Sequence, residues 1–271
     1  MSNPSPYILP SAKYKQKVTI FTISAIVVSI VCAYLKFNPL VIFTEFHYVI
    51  ELLKDMFPAD YRDISENVSI PYSILLTISM AFLGTLYGGI VAILFAFLSA
   101  ANIIPYKMIR SLVNVIISFL RVMPSLVVVL IFVIVVGPGP FAGMLTLVVL
   151  TIGTFGKMFR ELIENTEYPP GEAIYSVGAS RVQVIKYSIL PQILPTLIAN
   201  LLYAFDVNMR AAIALGIFGG GGIGFEFQLA KSVMHYKEVT AIISIIIVLV
   251  FSVEKLSDYL RRKILGEGKL N

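Results

Sequence analysis

The sequence has little of the chemistry from which metal and catalytic sites are most often built. Its 271 residues include one cysteine and two histidines. Cys32 lies inside an apolar run and has no partner in the chain, so an intrachain disulfide is excluded. His47 and His235 are far apart, and neither neighbours a second ligand at metal spacing. We therefore expect no metal site and no tightly bound cofactor in this chain.

Charge is also scarce. Charged residues make up 14% of the sequence and hydrophobic residues 58%, and the mean hydropathy is +0.87. A soluble domain needs a polar exterior, whereas helices that face hydrocarbon do not. The composition therefore predicts a membrane protein.

What the sequence does contain is long apolar runs. A transmembrane helix needs about 20 predominantly apolar residues. The first run is longer than the core of a typical signal peptide, so we interpret it as a retained helix. We interpret six runs as membrane spans: 18–35, 73–98, 112–136, 141–158, 193–217 and 240–253. The sequence thus predicts an all-α polytopic membrane protein with about six transmembrane helices.

Two of these runs carry residues with structural consequences. The third is interrupted by Arg121 and Pro124, and a proline inside a helix predicts a kink. The second contains Gly84, Gly88 and Gly89, and small residues of this kind suit close packing between membrane helices.

The chain divides into three predicted parts. Residues 1–72 hold the first helix and, at 39–57, apolar residues recurring every three or four positions, which is typical of an amphipathic helix at a membrane surface. Residues 73–260 form the main transmembrane domain, with a polar loop at about 160–191. Residues 261–271 form a cytoplasmic tail.

The basic residues indicate orientation. Most of the 21 Lys and Arg residues lie at span ends on one side of the predicted topology, for example Lys107 and Arg110 in the short loop after the second span. By the positive-inside rule, both termini and residues 160–188 are cytoplasmic. No basic stripe is combined with stacking aromatics, so the net charge of +5 does not indicate nucleic-acid binding.

The polar segment from Gly171 to Pro191 predicts a short helix, a turn at Gly178, and a second helix that stops at Pro191. Glycine can adopt the positive φ that such a turn requires. Because this helix pair protrudes on the cytoplasmic side, we interpret it as a docking device.

The spacing within this segment resembles the EAA loop of ABC importer permeases. Glu172 and Ala173 are followed six residues after the glutamate by Gly178, then at a fixed distance by an Ile-Leu-Pro sequence; Ile174 departs from the pattern, which often has a second alanine there. In that family the loop forms coupling helices that sit in a cleft of a cytoplasmic ATPase. The resemblance implies ATPase coupling by Glu172, Ala173, Gly178, Ala179, Ile189, Leu190 and Pro191.

Further motifs narrow the resemblance to the phosphonate-type permeases. It extends over about residues 70–260 and is carried by segments 121–125, 137–143, 156–161, 208–210, 215–217 and 220–224. It implies a type I ABC importer transmembrane domain in a bacterial cytoplasmic membrane. It also implies a homodimer of this chain, two ATPase subunits and an extracytoplasmic solute-binding protein.

The implied cargo is phosphonate or a related phosphorus oxyanion, either phosphite or phosphate. The same architecture with another small solute, such as an amino acid or a metal ion, stays open. The chain has no G-x-x-x-x-G-K-[ST] loop, so ATP and Mg²⁺ belong to the partner ATPase. An intramembrane enzyme is disfavoured because H-E-x-x-H and G-x-S-x-G are absent. A passive channel would need no docking loop.

Ionisable residues inside the spans are functional candidates because charge at membrane depth is costly. Asp206 and Arg210 are four residues apart, hence on one helix face. We hypothesise that Arg210 lines the pathway, because its planar guanidinium group can donate two hydrogen bonds to a tetrahedral oxyanion. Asp206 would then orient the Arg210 side chain. A structural ion pair is the alternative. Arg121 is a further pathway candidate, and its alternative is a structural partnership with the backbone carbonyls that a kink at Pro124 would free. Asn208 is another pathway candidate; its alternative is hydrogen bonding between packed helices, as it is for Asn114 and Asn200.

Residues 219–224 match G-x-G-x-x-G, but no strand–helix unit surrounds them, so they are not a dinucleotide site. We predict a flexible or re-entrant outer segment. Its proposed role is a gate that meets the binding protein and is formed by Gly220, Gly221, Gly222 and Gly224.

Overall fold

The computed structural model describes residues 12–35, 41–61, 69–166 and 174–266. The chain divides into two compact units, Met1–Asp55 and Met56–Asn271. The first unit contains α1 (Ala12–Tyr34), α2 (Val41–Thr44) and all but the last residue of α3 (Phe46–Met56). The described side chains of α1 are exposed except that of Cys32, which is half-buried, and its apolar stretch is long enough to cross a membrane.

The second unit consists of helices joined by short connections in its described residues. Its helices are α4 (Ser69–Ser99), α5 (Lys107–Val122), α6 (Ser125–Val136), α7 (Pro140–Glu164), α8 (Arg181–Val184), α9 (Leu190–Leu215), α10 (Ile223–Ser232) and α11 (Tyr236–Leu265). Within the described part of the chain, five helices are long and apolar enough to cross a membrane, and α5 with α6 makes a sixth if the pair is one bent span. The prediction of about six transmembrane helices is confirmed.

The predicted kink at Pro124 is a sharp break. Met123 and Pro124 are extended, at ψ 124° and 134°, and the axes of α5 and α6 differ by 93°. The residue before a proline is disfavoured in the helical region, which explains why α5 ends at Val122. At its other end α5 begins at Lys107, so Lys107 and Arg110 are helical rather than in the predicted loop.

Glycines set the distance between α4 and α7. A Cβ on Gly84 would lie 2.5 Å from Leu147 Cβ, and a Cβ on Gly88 would lie 2.6 Å from Thr151 Cβ. No side chain fits in either space, so the two helices are in close contact at these positions. The predicted packing role of these glycines is confirmed.

The predicted stop at Pro191 is wrong. α8 continues through a widened π turn, Ile185–Ile189, directly into α9. A proline ring normally clashes with the carbonyl four residues earlier. In the widened turn the Leu190 N–H bonds Ile185 O, five residues back, which enlarges the helix just before Pro191.

Helix α11 extends further than the predicted last span. It continues to Leu265, and the left-handed Gly266 at φ 76° follows it. The predicted tail at 261–271 therefore begins within a helix. At the other boundary, α4 begins at Ser69, four residues before the predicted second span.

Candidate functional site

The predicted docking segment contains a preformed turn. Residues 174–176 are helical, and Gly178 has φ +90°, the left-handed conformation expected from the sequence. Ser180 then starts α8 with a reciprocal cap: its hydroxyl accepts the Gln183 N–H, and the Gln183 side chain accepts the Ser180 N–H at 2.7 Å. Two further coupling candidates, Glu172 and Ala173, lie outside the described residues.

The remaining coupling candidates differ in exposure. Ile189 is 9% exposed and packs in the core with Phe159 and Ile163, so it anchors the segment rather than presenting a surface. Leu190 and Ala179 are half-buried, and Pro191 is exposed. Three other apolar side chains of the docking segment are exposed, and the sequence analysis did not select them: Tyr175, Val177 and Val182.

Asp206 and Arg210 form the expected ion pair on one face of α9, through Arg210 Nη2 and Asp206 Oδ2. Arg210 Nη1 also lies 3.5 Å from Glu254 Oε2 on α11. Sequence reading missed Glu254 because the predicted last span ended at residue 253.

The pocket around this pair has a volume of about 250 Å³. It is lined by Tyr203, Asp206, Arg210, Glu254, Ser257, Asp258 and Arg261. Three carboxylates face two guanidiniums, and Arg261 already pairs with Asp258 at 2.6 Å. An oxyanion entering this pocket would meet excess negative charge, so the geometry favours the structural alternative for Asp206 and Arg210.

Asn208 lies in the packed interior rather than in a cavity. It is 4% exposed, and its Nδ2 donates to Thr85 Oγ1 and Thr151 Oγ1, each at 2.8 Å. Both amide hydrogens are therefore used to tie α9 to α4 and α7. This arrangement favours the packing alternative over the pathway hypothesis for Asn208.

Replacing Asn208 with alanine should lower the stability of the isolated subunit by about 1–2 kcal/mol, because two hydrogen bonds between helices are lost. Thermal unfolding of the detergent-purified protein measures this change. Asn200→Ala is the matched control on the same helix, since no hydrogen bond of the Asn200 side chain is found within the described ranges. Equal shifts in both variants would contradict the assignment.

Arg121 is exposed at the end of α5, directly before the break. Its backbone is in close contact with α7, because a Cβ on Gly153 would lie 2.7 Å from Arg121 N. This glycine therefore allows the end of α5 to lie in close contact with α7. A pathway role for the Arg121 side chain stays a prediction.

The glycine segment is a largely buried turn, which favours the re-entrant alternative. Gly219, Gly221 and Gly222 have φ values of 91°, 78° and 71°, which glycine adopts without strain. Gly219 O accepts the Gly139 N–H at 2.8 Å, and a Cβ on Gly221 would lie 2.7 Å from the Pro140 ring. The segment turns the chain into the short α10, and its role as an outer gate stays a prediction.

A larger groove lies beside α5 and α7, with a volume of about 820 Å³. It is lined by Ser99, Ala101, Lys107, Arg110, Ser111, Asn114, Val115, Ser118, Phe119, Val122, Arg160 and Glu164. Sequence reading treated its basic residues as an orientation signal alone. The groove could have been predicted from the spacing of four polar residues, which places them on one helix face: Lys107, Arg110, Asn114 and Ser118.

Comparison with known proteins identifies similar sequences. A profile of the family described as binding-protein-dependent transport system inner membrane component matches residues 88–266. The phosphite transport system permease protein PtxC of Stutzerimonas stutzeri is 35% identical over 186 residues, covering 69% of this chain and 68% of that protein. The phosphate-import permease protein PhnE of Mycolicibacterium smegmatis is 33% identical over 223 residues, covering 82% of this chain. The chain spans only 41% of the length of that relative.

A solved structure shares the fold. A chain in the crystal structure of an amino acid ABC transporter with histidines has a TM-score of 0.64 against this chain at 19% identity, covering 76% of this chain and 100% of that one. At this identity the likeness concerns the fold alone.

Proposed function

Since this chain belongs to the binding-protein-dependent transport system inner membrane components, we propose that it is the permease of an ATP-driven importer for phosphonate or a related phosphorus oxyanion, phosphite or phosphate. The observation that carries the cargo is the 35% identity to a phosphite permease over 69% of the chain. The type I ABC importer fold is confirmed by the helical architecture and by the shared fold of a solved amino acid transporter.

The energy for transport comes from two cytoplasmic ATPase subunits that dock at the segment around Gly178. Support comes from the ordered turn, the capped start of α8 and the exposed Tyr175, Val177 and Val182. Apolar side chains on a protruding polar segment are typical of a protein interface. ATP and Mg²⁺ bind to those partners, and this chain supplies the mechanical connection.

The complete importer contains two copies of this chain and an extracytoplasmic solute-binding protein, in a bacterial cytoplasmic membrane. The distribution of basic residues supports cytoplasmic termini, which places the docking segment on the ATP side. On the opposite side the buried turn at Gly220, Gly221, Gly222 and Gly224 is the candidate gate toward the binding protein.

Uptake by cells that carry the intact system tests both cargo and coupling. Labelled aminoethylphosphonate, phosphite and phosphate are supplied separately to cells with the wild-type chain or Glu172→Lys. We expect wild-type cells to accumulate at least one of these oxyanions, and Glu172→Lys to reduce the rate at least tenfold because the charge reversal disrupts ATPase docking. Membrane content of the chain is measured by immunoblot.

Glu51→Lys is the matched control, because it reverses an exposed glutamate on α3. It should leave the rate within about twofold of wild type. If wild-type cells accumulate none of the three oxyanions, the cargo assignment is wrong, and an amino acid or a metal ion becomes the leading alternative. Normal uptake by Glu172→Lys would remove the coupling role of that residue.

A further inference from the structure

We propose that the groove beside α5 and α7 is a binding site for a phosphorus oxyanion, held by Lys107, Arg110 and Arg160. The identification of the ligand as transported cargo rests on the proposed function. The chemistry of the site is argued from the groove itself.

Two helices bring the three cations to one place. Lys107, Arg110 and Asn114 follow one another at intervals of three and four residues on α5, so they share a face. Arg160 reaches this face from α7, where its Nη1 donates to Asn114 Oδ1 at 2.6 Å. All four residues line the same groove.

The charge balance of the groove favours an anion. Its lining holds three cations and one carboxylate, Glu164. That carboxylate is engaged, because Glu164 Oε1 accepts the Ala101 N–H at 2.8 Å and Oε2 lies 3.6 Å from Arg160 Nε. The pocket around Asp206 and Arg210 has the opposite balance, which disfavours an oxyanion there.

Arg110 has hydrogen-bonding capacity to spare. Its Nε is buried without a hydrogen-bond partner, and Arg110 makes no ion pair with any residue that the structure describes. A buried donor that lacks an acceptor is costly, and an oxyanion supplies several acceptors that match a planar guanidinium. The Arg110 side chain also makes no hydrogen bond with any described residue, so its guanidinium group is not committed to another partner in the protein.

The shape of the groove suits an oxyanion that carries an apolar substituent. Beyond the cations, the α5 wall continues with Val115, Phe119 and Val122. The volume of about 820 Å³ exceeds the needs of inorganic phosphate alone. A phosphonate joins its oxyanion to an organic group by a carbon–phosphorus bond, and an anionic phospholipid joins its phosphate to acyl chains. Either ligand would place its oxyanion beside the three cations and its organic group along the apolar wall of α5.

Direct binding to the assembled transporter tests the site. The complex of this chain with its ATPase is purified in dodecyl maltoside, a detergent that contains no phosphorus, without the binding protein, as wild type, Arg110→Gln, Arg110→Lys and Lys157→Gln. Lys157→Gln is the matched control, because Lys157 lies near the same end of α7, pairs with Glu161 and does not line the groove. Binding of labelled ethylphosphonate and inorganic phosphate is measured by equilibrium dialysis, and co-purified phospholipid is measured as phosphorus per complex.

We expect Arg110→Gln to weaken oxyanion binding at least tenfold, Arg110→Lys to recover part of it, and Lys157→Gln to stay within about twofold of wild type. Loss of soluble oxyanion binding at constant phospholipid identifies transported cargo. Loss of tightly bound anionic phospholipid shows that the ligand of the site is a lipid headgroup. Either result supports an oxyanion site.

The proposal is overturned if neither ligand changes in an Arg110→Gln complex that elutes as a single species of wild-type size. Should Arg110→Gln fail to assemble, Lys107→Gln takes its place with the same expectation. Failure of the proposed function is a separate result, because it is detected as absent oxyanion uptake by cells with the wild-type chain. Loss of bound phospholipid from Arg110→Gln would still support the site in that case.

Discussion

Gly153→Ala should destabilise the protein by about 3 kcal/mol, near the upper end of the usual cost of overpacking. The new Cβ would lie 2.7 Å from Arg121 N, 2.8 Å from Arg121 Cα and 2.8 Å from Leu120 C. These are backbone atoms and cannot move aside as a side chain can, so α7 and the end of α5 must separate. For a chain of this size we expect a fall in Tm of about 5–10 °C.

Gly156→Ala provides the matched control, on the same helix and with the same substitution. The three atoms nearest to its Cβ would all belong to the Ile117 side chain, at 3.4–3.6 Å, which is ordinary contact. Alanine is favoured over glycine in a helix interior by about 1 kcal/mol, so this variant should be neutral or slightly more stable. Thermal unfolding of the two purified variants gives the comparison. Similar Tm values would show that the contact between α5 and α7 is looser than the structure indicates.

Arg210→Gln should destabilise the protein by about 2 kcal/mol because it leaves Asp206 buried without its cation. This is below the full cost of about 3–5 kcal/mol for breaking a buried pair, since the Arg210 side chain is 46% exposed. Asp206 itself is 7% exposed, and its Oδ1 has no hydrogen-bond partner among the described residues. The double variant Asp206→Asn/Arg210→Gln removes both charges and should recover most of the stability.

The double variant also separates packing from transport. If Arg210 serves only in packing, the double variant should recover oxyanion uptake together with Tm. A stable double variant without uptake would instead support the pathway hypothesis for Arg210. Arg261→Gln is the control for loss of an arginine from a more exposed pair, Asp258–Arg261, and should cost less than about 1 kcal/mol.

Features that depend on local chain chemistry could be predicted from the sequence. Pro124 fixes its own φ and disfavours helix at Met123, so the break followed from two neighbouring residues. Gly84 and Gly88 lie one helical turn apart inside an apolar run, which indicates a close helix contact without naming its partner. The resemblance to phosphonate-type permeases likewise depended on short motifs, and it is confirmed by the relatives.

Features that depend on which helices meet could not be predicted. Arg160 is 50 residues from Arg110, and only the packing of α7 on α5 brings it to Asn114. Glu254 lies next to Arg210 because α11 packs against α9 and extends past the predicted end of the last span. The helix also continues past Pro191 because of the widened turn at Ile185–Ile189. No amino-acid preference predicts such a turn.

The uninterrupted connection between α8 and α9 has a mechanical consequence. A helix is stiff along its axis, and the 26 residues of α9 span about 39 Å at 1.5 Å per residue. The docking segment therefore lies just before one end of this stiff helix, and the buried glycine turn follows its other end. A tilt of about 5° at the widened turn, Ile185–Ile189, displaces Leu215 by about 3 Å, roughly the size of one water molecule. A small rotation of α8 would thus reach the glycine turn already amplified.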